Sequence, residues 1–426
     1  MKHLSLFDAV LETQRPLFAT ENLPHDARDV LEHFDELVQG VLPLSQKQQR
    51  RLPGDIHALS HALTDERGAR RVGYMNDSAH LSAYVRYFSW WNLVRLTRLF
   101  ANLPDTAFDC IDGTVCLDIG SGPLTVVCAL WLARPELRAK KLTWYCMDIS
   151  HRALAIGEDI YLSIAARTPP PVQKHTPAAG HFVACQSHWA IIRVQGGFGT
   201  EIKQKAAFIT CANMFNELYE QTNDSPEYRA KKYGTMLLSY AHDNARLFVA
   251  EPGVPYNAHF ISLLRDVFLR KKLAVIAPCP HHAPCPMHGT HARRGGSVKW
   301  CNFSFTTEAA PERLTKLSAA AQLGKYRAVL SFVFAERRTA LLPAETVYPT
   351  ETARDKASYT IRIASEPIVL GKQTGCYACS AAGLVLAVNK TRRVFCSGDE
   401  ITVRPLHAHV LPQDAKTGAA LLKIGE

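Results

Sequence analysis

The residues best able to do chemistry in this 426-residue chain gather in two places. The first is a proline-rich loop, Ala277-Pro278-Cys279-Pro280-His281-His282-Ala283-Pro284-Cys285-Pro286-Met287, and a third thiol, Cys301, returns later in Lys299-Trp300-Cys301-Asn302-Phe303. Soft thiolates on a rigid loop suit zinc or an iron–sulfur cluster. Structural zinc prefers cysteine pairs spaced by two to four residues, a spacing these thiols lack. Three thiols leave a four-ligand site one short; Cys376 or Cys379 can complete it, and His281, His282 and His288 are alternatives. The second place is Asp118-Ile119-Gly120-Ser121-Gly122-Pro123-Leu124, between the β-type run TVCL and a helical run. Its glycines permit a tight turn and close backbone approach, and the following helix offers free N–H groups to a ligand. A helix and a strand later, Asp148 closes the apolar run LTWYCM, where a carboxylate can accept both hydroxyls of a ribose.

Catalytic groups are harder to find. The run Thr210-Cys211-Ala212-Asn213-Met214-Phe215-Asn216-Glu217 holds no Asn/Asp-Pro-Pro-aromatic turn to orient an attacking nitrogen. A thiolate at Cys211 could add to a pyrimidine, but no proline precedes it, and it reads as a buried strand-end thiol. No acid suited to an adenine amino group follows the third strand. A dinucleotide fingerprint needs glycine at position 125, which is Thr. In the tract Tyr74–Phe100, Tyr84, Tyr87, Phe88, Trp90 and Trp91 alternate with Arg86, Arg95 and Arg98. Their spacing predicts core aromatics, with the arginines on the wet face of an amphipathic helix.

Three kinds of structure are needed to position these residues. Residues 1–105 read as a helical N-terminal region, from apolar spacing in LFDAVLETQ, DVLEHFDELVQGVL and AHLSAYVRYFSWWNLVRLTRLF. Residues 106–340 alternate short apolar β runs with helical segments, which predicts an α/β, doubly wound, mainly parallel sheet carrying the cysteine loop 277–301. Residues 341–358 lose periodicity and read as a linker, and 359–426 read as a small β-barrel-like domain. With 47% hydrophobic and 21% charged residues the chain is that of a folded protein. No stretch approaches the ~18 to 20 apolar residues of a membrane span, so no membrane partner is expected. The opening segment contains Asp8 and Glu12 and lacks signal or transit character, favouring the cytoplasm. Twelve cysteines there point to buried thiols and a metal site instead of disulfides. The 49 Lys and Arg against 39 Asp and Glu give a net charge of +10, which favours a polyanionic partner. A monomer is the expectation.

The Gly-rich turn with Asp148 resembles the class I (Rossmann-like) S-adenosylmethionine-dependent methyltransferase signature. That resemblance implies a cofactor site made of Asp118, Gly120, Ser121, Gly122, Asp148 and Asn213. More specifically, Tyr74-Met75-Asn76-Asp77, Tyr87-Phe88, Trp91-Asn92, LDIGSGPL, NMFNEL, Glu251-Pro252-Gly253, APCPHHAPCPM and WCNFSF occur in one order over most of the chain. This set resembles the methyltransferase-like family associated with the small ribosomal subunit, with bacterial and mitochondrial members. The resemblance implies a four-iron, four-sulfur (4Fe-4S) cluster on Cys279, Cys285 and Cys301, with zinc as the alternative. It places the fourth ligand at Cys379, not Cys376, through the stretch Ala378-Cys379-Ser380-Ala381-Ala382-Gly383. Asn302-Phe303-Ser304-Phe305 stands where relatives often carry His-Phe-Ser-Gln. The implied role is assembly or translational competence of the small subunit through its rRNA, in the cytoplasm, or in the mitochondrion of a eukaryote. An active rRNA methyltransferase and a small-molecule methyltransferase with a redox-sensing cluster are the alternatives. The basic residues Arg265, Arg270, Lys271, Lys272, Arg293, Arg294 and Lys299 beside the cysteine loop, with the β domain, disfavour the last.

Overall fold

Runs such as VCLDI and TWYCMD are apolar on both faces, the mark of strands covered on both sides. The computed structural model describes residues 8–64, 74–170, 188–218, 224–289, 299–337, 358–406 and 410–426. Its strands are β1 (Ala9–Arg15), β2 (Val115–Ile119), β3 (Thr143–Asp148), β4 (Ala190–Gln195), β5 (Ala206–Ala212), β6 (Ala241–Pro252), β7 (Leu273–Ala277), β8 (Phe303–Thr306), β9 (Arg327–Arg337), β10 (Tyr359–Ile363), β11 (Ile368–Leu370), β12 (Gln373–Ser380), β13 (Gly383–Asn389), β14 (Glu400–Pro405) and β15 (Ala420–Gly425). They form two sheets.

The first sheet runs β4-β3-β2-β5-β6-β9-β7. Its first five strands pair in parallel, and β9 inserts antiparallel between β6 and β7, with β8 on β9 as well. This is the class I methyltransferase arrangement. Strand order reverses between β2 and β5, the switch point where open α/β sheets bind ligands. The helix Thr125–Ala133, which follows the Gly-rich turn, is buried nearly all round because the N-terminal helices cover its outer side. Those helices end in a long run, Ser78–Ala83 then Trp90–Asn102, joined by the π-helical turn Tyr84–Ser89. Asp77 caps its start, accepting the N–H groups of Ala79 and His80, each at 2.9 Å.

The aromatics of this run are core, as their spacing predicts: Tyr87, Trp90 and Trp91 are buried. Its arginines are not a wet face. Arg86 is buried and donates to Gln39 Oε1 at 3.0 Å, Arg95 donates to Val329 O at 2.7 Å, and Arg98 holds Phe18 O. They fasten neighbouring segments to the helix through backbone carbonyls, so their charge is spent inside the fold.

The second correction concerns the opening residues. LFDAVLETQ, expected to be helical, contains β1 instead, and β1 belongs to the C-terminal sheet. There it lies antiparallel to β14 and parallel to β15, in the order β10-β14-β1-β15-β13-β12-β11. Pairing of β10 with β12 closes six of these strands into a barrel, filled by residues such as Ile361, Ile363, Ala387, Ile401, Val403 and Ile424. Closure removes the exposed edges that so small a sheet would otherwise present. The barrel is therefore built from both ends of the sequence, and the linker expected at 341–358 lies, but for its last residue, outside the described residues. Of the strand-like run HFVACQSHWAIIRV, residues 181–187 also lie outside them, and β4 occupies its end.

Candidate functional site

Asp118 ends β2 beneath the Gly-rich turn and is 1% exposed. Its Oδ1 accepts the Thr210 hydroxyl at 2.6 Å, while Oδ2 has no hydrogen-bond partner among the described residues. Burial pushes its pKa up to about 7. A buried, half-satisfied carboxyl is costly to leave ionised, which is why burial holds its proton on. The turn is fixed from the neighbouring strand: the N–H groups of Gly120 and Ser121 both donate to Met147 O, at 2.9 and 3.0 Å. Gly120 has φ +68°, and a Cβ there would lie 2.6 Å from Met214 Cγ, so both conformation and space demand glycine.

Asp148 sits at the end of β3, as the sequence indicates, but its oxygens are already engaged. Oδ2 accepts the Gly122 N–H at 2.9 Å and Oδ1 that of Ser150 at 2.8 Å. Each carboxylate oxygen keeps a second lone pair for a ribose hydroxyl. Asn213, the residue after β5 on the opposite side of the switch point, has φ +56° and donates its N–H to Ala250 O at 2.8 Å.

The Gly-rich turn, Asp148, Asn213 and Met214 line a cavity of about 60 Å³ directly above the buried Asp118, and Met214 packs on the turn at Gly120. The roof was not evident from the glycine motif: Met75, Tyr84, Asn92 and Leu96, all from the N-terminal helical layer, line the cavity. Asn76 ties that layer down, accepting the Ser150 hydroxyl at 2.8 Å through Oδ1 and Arg152 Nη1 at 2.9 Å through its carbonyl. The motif Tyr74-Met75-Asn76-Asp77 was the available signal, and its position over the crevice explains it.

On the acceptor side, Glu217 lines the cavity, and Glu251, 1% exposed at the end of β6, accepts the N–H groups of Phe215 at 2.8 Å and Asn216 at 3.1 Å. Burial pushes the Glu251 pKa up to about 8. Cys211 is fully buried, with its thiol pKa raised by burial, so it is a core thiol and not an exposed nucleophile.

The thiols of the proline-rich loop meet those of the barrel. Cys279 and Cys285 follow β7, and Cys301 is held by its N–H to Met287 O at 3.0 Å. Cys379 on β12 belongs to the same apolar cluster against which Cys285 and Cys301 pack. Burial, then the charges of Cys285, Cys279 and Cys379, raise the Cys301 thiol; burial, then Cys279 and Cys285, raise Cys379. Cys376 lies elsewhere, in the barrel core, pushed up to about 12 by burial and then by Asp399 and Cys396. Among the described residues no three His, Cys, Asp or Glu side chains approach closely enough to hold a single metal ion. His281 is buried with neither ring nitrogen partnered among the described residues, and burial followed by Arg265 pushes its pKa down to about 4. His282 is turned to β7, accepting the Val275 N–H at 3.2 Å.

The basic stretch beside the loop is only partly a surface. Arg265 is 2% exposed and bonded to the loop, and Lys299 lies over the Tyr377 ring with Nζ 4.2 Å from its centre. Arg270, Lys271 and Lys272 are exposed, and Arg293 and Arg294 lie outside the described residues.

A comparison with curated proteins finds no match. Solved structures similar to the chain include an S-adenosylmethionine-dependent methyltransferase from Aquifex aeolicus (13% identity over 55% of this chain and 87% of that one, TM-score 0.28). A second is a Geobacter sulfurreducens methyltransferase in complex with S-adenosylhomocysteine (11%, 58% and 90%, 0.30), and a third is YjhP from E. coli (12%, 57% and 91%, 0.31). No helix among the described residues is long and apolar enough to cross a membrane. Residues 107–396, more than half of the chain, match the family described as mitochondrial small ribosomal subunit Rsm22, and the chain belongs to that family.

Proposed function

We propose that this protein binds S-adenosylmethionine in the β2–β5 crevice, carries an iron–sulfur cluster on Cys279, Cys285, Cys301 and Cys379, and acts on the small ribosomal subunit by binding its rRNA. The family match supports the ribosomal part, since its description names that particle. The compartment is the cytoplasm in a bacterium and the mitochondrion in a eukaryote, and the chain acts as a monomer.

The observation that carries the reading is the crevice: the Gly-rich turn and Asp148, its Oδ2 on the Gly122 N–H, line a cavity roofed by the N-terminal helices, with Asp118 buried beneath the turn. When bound, S-adenosylmethionine supplies an electrophilic methyl group. This chain's own residues bind and orient: Asp148 receives the ribose hydroxyls, and the helix N-terminus after Gly122 faces the carboxylate. A cofactor that binds only the folded chain stabilises it by mass action even where no methyl group moves. For the cluster, the thiols offer the chemistry it needs: four soft donors from two parts of the chain, with Cys301 and Cys379 close enough to the loop thiols to feel their charge.

Calorimetry with S-adenosylmethionine and co-sedimentation with 30S-type particles test the two parts separately. Micromolar cofactor binding together with subunit association, and an unchanged rRNA modification map in a deletion strain, is the expected outcome. One observation favours a second reading, an active rRNA methyltransferase: the Glu217 carboxylate lines the crevice, where it could take a proton from an acceptor. A methyl mark missing from small-subunit rRNA in the deletion strain would establish that reading.

A further inference from the structure

Two buried arginines grip the thiol centre from opposite sides, and their surroundings divide the work between them. Arg265 is 2% exposed. Its Nε donates to Cys279 Sγ at 3.1 Å, and Nη2 donates to the carbonyls of His281 at 2.9 Å and Ala283 at 2.8 Å. One guanidinium thereby fixes both a sulfur and the loop backbone that sets the distance from Cys279 to Cys285. Its carboxylate neighbour, Asp266, contacts Nη1 at 3.1 Å and is a third exposed. Withdrawing a guanidinium from water this far is costly unless a charge of comparable burial faces it, and here that charge is sulfur.

Arg362, 7% exposed, comes from the barrel, directly opposite Cys379 in the β10–β12 pairing. Its Nε donates to Pro278 O at 2.7 Å, just before Cys279, and Nη1 to Gly398 O at 2.8 Å. Its charge is met by Glu400, Nη2 to Oε2 at 2.6 Å. Arg362 thus ties the strand of Cys379 to the backbone of Cys279 while its charge is already compensated.

We infer that Arg265 is the group that tunes the electronic properties of the thiolate centre, and that Arg362 is the residue that positions it across the domain junction. This rests on the cluster reading above. A hydrogen bond and a positive charge at a ligating sulfur draw electron density away and favour the reduced cluster, so Arg265 raises the reduction potential. Among the described residues Arg362 makes no hydrogen bond to a sulfur, its guanidinium being spent on the carbonyls of Pro278 and Gly398 and on Glu400, so its distinct contribution is the tie between barrel and loop.

The test uses the full chain purified anaerobically, with iron and sulfide counted and the cluster titrated with dithionite under electron paramagnetic resonance. Arg265→Met is expected to keep its iron and titrate at a lower potential than wild type. Arg265→Lys, which retains charge but cannot span a sulfur and two carbonyls, is expected to fall between them and provides the same readout if Arg265→Met does not fold. Arg362→Gln is expected to lose iron, which the Arg265 variants keep; full iron in Arg362→Gln overturns its positioning role. Full iron with an unshifted potential in both Arg265 variants overturns the inference alone. Wild-type protein without iron and sulfide overturns the cluster reading, and the inference with it.

Discussion

Asp118 holds a proton that the unfolded chain would release, and this has a measurable sign. Its folded pKa of about 7 lies above the ordinary 3.8, so between about pH 4 and pH 7 the folded state binds more protons than the unfolded one and stability falls as pH rises. A shift of that size corresponds to about 4 kcal/mol. Asp118→Asn, whose side-chain oxygen can still accept from Thr210, should lose Asp118's share of the fall in urea midpoint between pH 5 and pH 7.5 while Glu251 supplies the rest; a profile parallel to wild type would refute the assignment. A second residue-scale prediction separates two cysteines three positions apart. An odd separation on a strand puts them on opposite faces, with Cys376 in the barrel core and Cys379 toward the loop thiols. Cys379→Ser should lose iron and Cys376→Ser should not, as measured by iron per chain; equal loss would move the fourth ligand. The positions of Asp118, the glycines and Asp148 were legible because a turn and a strand end are local features. That both Asp148 oxygens already hold backbone N–H groups was not, since those bonds depend on how β2 and β3 pair.

Among elements, β1 is where local pattern misled. LFDAVLETQ carries apolar residues at helical spacing, yet seven residues bonded on both sides to strands from the far end of the chain follow their partners, because strand pairing outweighs so short a propensity. The helical character of the tract Tyr74–Phe100 was legible from its aromatic spacing, whereas the inward course of its arginines was not, since arginine fits either a wet face or a buried carbonyl. Removing residues 1–15 should open the barrel. Hydrogen exchange in β14 and β15 is expected to accelerate by orders of magnitude while β2 and β5 keep their protection, and iron should be lost with the barrel. Unchanged protection in β14 would mean that the barrel closes without its N-terminal strand.

For the whole molecule, the net charge of +10 is read most directly through salt. Affinity for small-subunit rRNA should fall linearly on a log–log plot against salt, since binding releases condensed counterions. Replacing Arg270, Lys271 and Lys272, exposed together where the helix Pro255–Arg270 ends, by Glu should lower that slope by about one for each residue that meets a phosphate. Filter binding across salt steps checks it, and an unaltered slope would place the RNA on another face. The barrel also imposes an order on biosynthesis. Ala9 lies beside Ile424, so β1 leaves the ribosome long before the β15 partner it pairs with. At ~5 to 20 residues per second that interval lasts tens of seconds. Throughout it β1 is without its β15 partner, and Cys379 has no finished barrel to hold it. Nascent chains stalled before residue 420 should therefore display a completed methyltransferase-like sheet and an open, protease-sensitive thiol centre, so that the proposed cluster would be acquired late in the life of each molecule.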